Sequence, residues 1–190
     1  MEAFLVSLAV VALAEVGDKT QLFALVLAAR FRRPVPVILG IATATLANHT
    51  AAAAVGAWVA TVLGPVRLRV ILGVSFVAMA VWTLRPDPNP EQRERPPRFG
   101  VFGTTVVSFF LLEMGDKTQV ATAALAARYA TLLPVVAGTT LGMLLADVPA
   151  VLLGEAAAKR VPLRLVRTVG ALVFALMGAW LVWVGLRGAP

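Results

Sequence analysis

Six apolar runs follow one another along the 190-residue chain, near residues 3–29, 35–62, 67–84, 101–127, 133–157 and 165–186. An α-helix needs about 20 residues to cross the hydrocarbon of a bilayer. Inside lipid each segment must satisfy its own backbone N–H and C=O groups, so runs of this length are helices. The expected fold is therefore an all-α integral membrane protein with six transmembrane helices. Composition agrees: 59% of residues are hydrophobic and 14% charged, against roughly 45–50% and 25% for soluble domains. Without cysteine, neither a disulfide framework nor a thiolate metal site can be built.

The six runs form two matching sets. At a constant offset of 98 residues, Glu15, Gly17, Asp18, Lys19, Thr20 and Gln21 fall on Glu113, Gly115, Asp116, Lys117, Thr118 and Gln119. Leu27–Arg30 falls on Leu125–Arg128, Pro36, Gly40 and Gly56 on Pro134, Gly138 and Gly154, and Phe76, Met79 and Trp82 on Phe174, Met177 and Trp180. One ungapped register across three spans marks an internal duplication. The first repeat covers 1–84 and the second 101–190. Residues 85–100 form the linker, whose proline-rich stretch at 85–98 cannot be helix in lipid. An odd number of spans per repeat makes the second repeat enter the membrane inverted, as in many secondary transporters.

The +7 net charge does not point to nucleic acid, because the arginines cluster between apolar runs. Arg30, Arg32, Arg33, Arg85, Arg93, Arg95, Arg98, Lys159, Arg160, Arg164 and Arg167 share one side, and Arg67, Arg69, Arg128 and Arg187 the other. The excess of positive charge places the linker in the cytoplasm and both termini outside a cell (inner) membrane. Residues 1–14 end in Ala12-Leu13-Ala14 like a signal peptide, yet they carry Glu2 and no basic residue. The segment after the supposed cleavage site also recurs inside the chain, which argues against removal.

Glu15, Asp18, Lys19, Glu113, Asp116 and Lys117 all lie in apolar segments. An ionisable group at membrane depth costs roughly 2.5–3.5 kcal/mol, so six of them signal function. If each motif is continuous helix, Glu and Asp at i and i+3 share one face; the intervening glycine also allows a break that frees carbonyl oxygens. Brought together by inverted symmetry, Glu15, Asp18, Glu113 and Asp116 would join the amides of Gln21 and Gln119 and the hydroxyls of Thr20 and Thr118. That all-oxygen set suits Ca²⁺, Mn²⁺ or Mg²⁺. Four acids and two lysines leave −2, which one divalent cation or two protons would neutralise. Lys19 and Lys117 would act as counter-ions rather than ligands. The bland alternative, structural Glu/Asp–Lys bridges, leaves half the acids unpaired.

His49 and Asp147 occupy equivalent repeat positions, with Asn48 beside His49. They are candidates for a proton relay or second shell, or for hydrogen-bonded packing. Thr43, Thr45, Thr139 and Thr140 are expected to bond to their own helix backbones. Glu155 and Lys159 read as a flank pair, and Trp58, Trp82, Trp180 and Trp183 as interface anchors.

The two hexapeptides Glu15–Thr20 and Glu113–Thr118, with Gly138-Thr139-Thr140-Leu141-Gly142 after the second, resemble the transmembrane protein 165 family, which includes bacterial manganese exporters. The resemblance spans nearly the whole chain. It implies cation/proton exchange of Mn²⁺ or Ca²⁺, with the motif acids as ligands, the metal a transported substrate and no cofactor. The partners expected are the metal, protons and the bilayer, with a homodimer left open. An exporter of basic amino acids or other organic cations would use the same acids as counter-ions. An intramembrane enzyme is disfavoured, because positions 15 and 113 are glutamate where an aspartyl dyad needs Gly-x-Gly-Asp.

Overall fold

A computed structural model describes residues 1–84, 99–153 and 163–187. The linker stretch 85–98, Gly154 and the Glu155–Lys159 pair lie outside the described residues. Those described are all-helical: α1 (Glu2–Glu15), α2 (Lys19–Phe31), α3 (Pro34–Val62), α4 (Pro65–Leu84), α5 (Gly100–Glu113), α6 (Lys117–Tyr129), α7 (Leu132–Leu153) and α8 (Leu163–Leu186). Four of them, α3, α4, α7 and α8, are long and apolar enough to cross a membrane, and α5 is a shorter apolar helix.

The duplication is written into the helix boundaries. The starts of α1, α2, α3 and α4 recur 98 residues later in α5, α6, α7 and α8. The first and fourth apolar runs, expected as single spans, are each two helices separated by a three-residue break. Gly17 and Gly115 both take φ +79, a left-handed conformation that costs a residue without Cβ almost nothing. Each second helix ends alike too: Arg32 (φ 51) and Ala130 (φ 50) are left-handed caps whose N–H groups bond Ala28 and Ala126 carbonyls. Pro34 then opens α3, where a missing N–H is harmless.

Packing follows the same equivalence. Gly40 on α3 lies against Phe102 and Thr105 of α5, and its counterpart Gly138 on α7 lies against Phe4 and Ser7 of α1. Small residues let helices approach closely in lipid, where packing rather than water drives association. The helices α4 and α8 run antiparallel: Gly170 meets Thr83 at one end and Gly185 meets Val70 at the other. Between these ends the equivalent residues Phe76 and Phe174 stack on each other, with ring centroids 6.0 Å apart. The expected interface tryptophans Trp58, Trp82, Trp180 and Trp183 are all exposed.

Candidate functional site

Each break has two ends, and each end carries an acid. Glu15 and Glu113 are the last residues of α1 and α5, while Asp18 and Asp116 are the N-caps of α2 and α6. The Asp18 and Asp116 N–H groups bond the Glu15 and Glu113 carbonyls at 2.9 and 3.0 Å, closing the same tight turn in both repeats. The expectation that each Glu–Asp pair shares one continuous helix face is therefore corrected, because the helix stops between them. The four acids are nonetheless all buried, none more than 1% exposed.

The lysines cross between repeats. Lys19 Nζ lies 2.8 Å from Asp116 Oδ1, and Lys117 Nζ lies 3.0 Å from Asp18 Oδ2. This reciprocal pair of bridges ties one break to the other. The glutamates have no such partners: both oxygens of Glu15 and of Glu113 are buried and accept no hydrogen bond among the described residues. One oxygen each from Glu15, Glu113 and Asp116 lies within 4.8 Å of the others, close enough to hold one metal ion. Asp18 stands outside that trio.

The other expected ligands divide. Gln21 Oε1 accepts from Gly17 N–H at 2.9 Å and Gln119 Oε1 from Gly115 N–H at 2.8 Å, so both amide oxygens hold the breaks in place. Gln21 Nε2 also donates to the Ala146 carbonyl on α7 at 2.8 Å. Thr118 Oγ1 reaches Asp116 Oδ2 at 3.4 Å, whereas Thr20 Oγ1 is buried without a hydrogen-bond partner among the described residues.

Among the polar residues outside the motifs, His49 Nε2 stands 3.9 Å from Glu113 Oε2. Asn48 donates to the Phe110 carbonyl at 3.0 Å, which fastens α3 to α5. Asp147 is fully buried, neither of its oxygens accepts a hydrogen bond among the described residues, and its charge acts on both glutamates. It belongs with the four motif acids. The signal for it was in the sequence, since Asp147 is the repeat counterpart of His49. Thr43 and Thr139 bond to their own helices as expected, but Thr45 and Thr140 do not: their hydroxyls are buried without partners among the described residues.

Chemically, the site joins uncompensated carboxylates to two helix C-termini, whose last carbonyls carry partial negative charge. Buried charge of this kind demands a cation or a proton. A family profile described as "Divalent cation/proton antiporter GDT1" matches twice, over residues 3–91 and 101–189. A Vibrio cholerae serotype O1 protein described as "Putative manganese exporter" is 50% identical over 178 residues, 93% of this chain and 88% of that protein. No solved structure matches the chain. The resemblance carried by the two hexapeptides stands, and with nearly all of its length matched the chain belongs to the GDT1 family of divalent cation/proton antiporters.

Proposed function

We propose that the protein exports Mn²⁺ across the cell membrane in exchange for protons, with Glu15, Glu113 and Asp116 as the principal ligands. The observation that carries this reading is the convergence of those three buried carboxylates from two repeats within 4.8 Å. Oxygen donors suit Mn²⁺ and Ca²⁺ alike, and the description of the Vibrio cholerae relative favours manganese.

The two breaks then serve as halves of one centre. Six spans in two inverted repeats account for the geometry, with α1–α2 and α5–α6 each acting as one interrupted span. Tyr129 at the end of α6 donates to Glu2 at the start of α1 (3.2 Å), which supports opposite directions for the first and fourth spans. The antiparallel pairing of the equivalent helices α4 and α8 supports the same topology. Basic clusters put the linker in the cytoplasm and the termini outside. A linker fusion to alkaline phosphatase should then be inactive and a C-terminal fusion active.

The charge count at the site changes with Asp147. The two Asp–Lys bridges cancel, which leaves Glu15, Glu113 and Asp147 when all are ionised. One divalent cation neutralises two of these, so the loaded site keeps one proton and the empty site takes up more. Proton entry thereby displaces metal outward. Gln21 and Gln119 shape the breaks, and Lys19 and Lys117 are counter-ions. Flux in proteoliposomes under an imposed pH gradient tests this directly. Mn²⁺ should move against the proton flow, Ca²⁺ less well and lysine not at all. Mn²⁺ flux indifferent to the gradient, or surviving Asp18→Asn with Asp116→Asn, would sink the mechanism.

A further inference from the structure

Pseudo-symmetry holds within two parts of the molecule and fails between them. In the first part, the Lys19–Asp116 and Lys117–Asp18 bridges are mates, as are the α3–α5 and α7–α1 contacts at Gly40 and Gly138. In the second, α4 and α8 pair through equivalent phenylalanines, with Gly73 and Gly178 in mutual backbone contact. Yet the α4–α8 pair sits to one side. It packs through α4 on α6 and through α8 on α1, and among the described residues no comparable packing joins α8 to α2 or α4 to α5.

Residue by residue, burial records the difference. On α6, Ala121, Ala124 and Ala127 are at most 5% exposed; their counterparts Phe23 and Val26 are half-buried and Ala29 is exposed. At the end of α1 and in the first break, Ala14 and Gly17 are buried and Leu13 is half-buried. At the end of α5 and in the second break, Leu112 is half-buried, Gly115 is exposed, and Leu111 and Met114 are 56% and 57% exposed. The pair thus packs beside the first break, while at the second Met114 and Gly115 are exposed although its acids stay buried.

The geometry points to a rocking motion in which the α4–α8 pair moves as one body from α1/α6 to α5/α2, packing beside the Gly17 break in one state and beside the Gly115 break in the other. A repeat protein whose two parts are each symmetric has two mirrored dockings built from equivalent contacts. Because the repeats are inverted, the two dockings open the site to opposite sides of the membrane. The occupant of the bare α5/α2 face is thus the chain's own α4–α8 pair. This inference rests on the exchange reading and supplies its moving part.

The absence of native cysteine makes the motion traceable by paired cysteines in the full chain. Leu13→Cys with Gly170→Cys spans the docking seen here, where a Cβ on Gly170 would stand 3.3 Å from the Leu13 carbonyl. The repeat counterparts of these positions are Leu111 and Leu72, so Leu111→Cys with Leu72→Cys spans the mirrored docking. In membranes treated with diamide, both pairs should form disulfides within one chain. Each disulfide should cut Mn²⁺ exchange at least tenfold until it is reduced. Failure of either pair to link, or exchange that continues while linked, would overturn the proposal. So would a Leu111→Cys/Leu72→Cys disulfide formed only between chains, which would mark a subunit contact.

Leu111→Cys alone gives a check that does not depend on packing at Leu72. Its labelling by a lipid-soluble maleimide should change at least threefold between saturating Mn²⁺ and low pH; constant labelling would identify a fixed lipid-facing surface. Disulfide yield is read without transport. Protein that links both ways yet moves no Mn²⁺ would therefore refute the exchange reading and spare the motion.

Discussion

The two acids of each motif stand three residues apart in opposite surroundings. Asp18 and Asp116 sit at helix N-termini, where backbone dipoles favour negative charge, and each faces a lysine from the other repeat. Glu15 and Glu113 sit at helix C-termini, where the dipoles oppose negative charge, and their oxygens accept no hydrogen bond among the described residues. One break thus separates a held carboxylate from a needy one. Both aspartates bridge to lysines of the other repeat, and Asp116 also lies with the two glutamates in the carboxylate trio.

The largest effects should come from neutralising these acids, and the contrast is in what else is lost. Glu15→Gln or Glu113→Gln should each lower Mn²⁺ exchange at least a hundredfold while leaving the melting temperature unchanged or raised, since an unpaired buried charge disappears. Asp18→Asn or Asp116→Asn should abolish exchange as well, but should also destabilise, because a lysine loses its partner. Breaking a buried pair from one side costs about 3–5 kcal/mol. Flux and thermal unfolding measured side by side check the distinction. Equal stability loss for the glutamate and aspartate variants would erase it.

The lysines sharpen the comparison. Lys117 and Asp18 are 5% and 0% exposed, whereas Lys19 is 23% exposed opposite Asp116. Lys117→Met should therefore destabilise more than Lys19→Met. Lys19→Met leaves Asp116 unpaired inside the carboxylate trio, so it should tighten Mn²⁺ binding severalfold and slow turnover. Binding calorimetry and flux together test this. Normal transport by Lys19→Met at every substrate concentration would end the counter-ion role.

Much of this arrangement was legible in the residues. Apolar runs, the 98-residue register and the motif acids depend on spacing and side-chain type, and the glycine between Glu and Asp allowed the break. The partner of each lysine was not legible, because local spacing favours a neighbour in the same motif while the fold brings the other motif closer. The glutamines looked like ligands because an amide oxygen is a good donor, yet a left-handed glycine leaves an N–H that needs an acceptor four residues on. Asp147 was placed beside its counterpart His49 but not counted with the acids. The one-sided docking of α4 and α8 has no sequence signature, since equivalent faces offer either choice.

A smaller effect should separate the two glutamines. Gln21→Ala removes the bond to Gly17 and the bond to Ala146, while Gln119→Ala removes the one to Gly115. With net bonds worth about 0.5–1.5 kcal/mol each, Gln21→Ala should be the more destabilising by roughly that amount. Both variants should still bind Mn²⁺, which equilibrium titration would show. Loss of binding equal to that of Glu113→Gln would return the glutamines to the ligand set.

The smallest expected change concerns Asp147, and it tests the charge count. With Asp147 ionised beside Glu15 and Glu113, a divalent cation leaves one negative charge for a proton to neutralise; without it, the metal alone balances the site. Asp147→Asn should therefore keep Mn²⁺ exchange within about tenfold of the parent protein. Metal binding releases two protons in both proteins, from three to one in the parent and from two to none in the variant, so the slope of log apparent affinity against pH should stay the same. Acidification fills carboxylates and expels metal, so affinity rises with pH in both proteins, equally steeply. His49 faces Glu113 at 3.9 Å, so a His49→Gln control separates any contribution of the imidazole to the same slope. Titration of Mn²⁺ binding from pH 5 to 8 reads all three proteins. A slope that falls by one proton in Asp147→Asn would mean that Asp147 also gives up its proton to the metal, and would overturn the count.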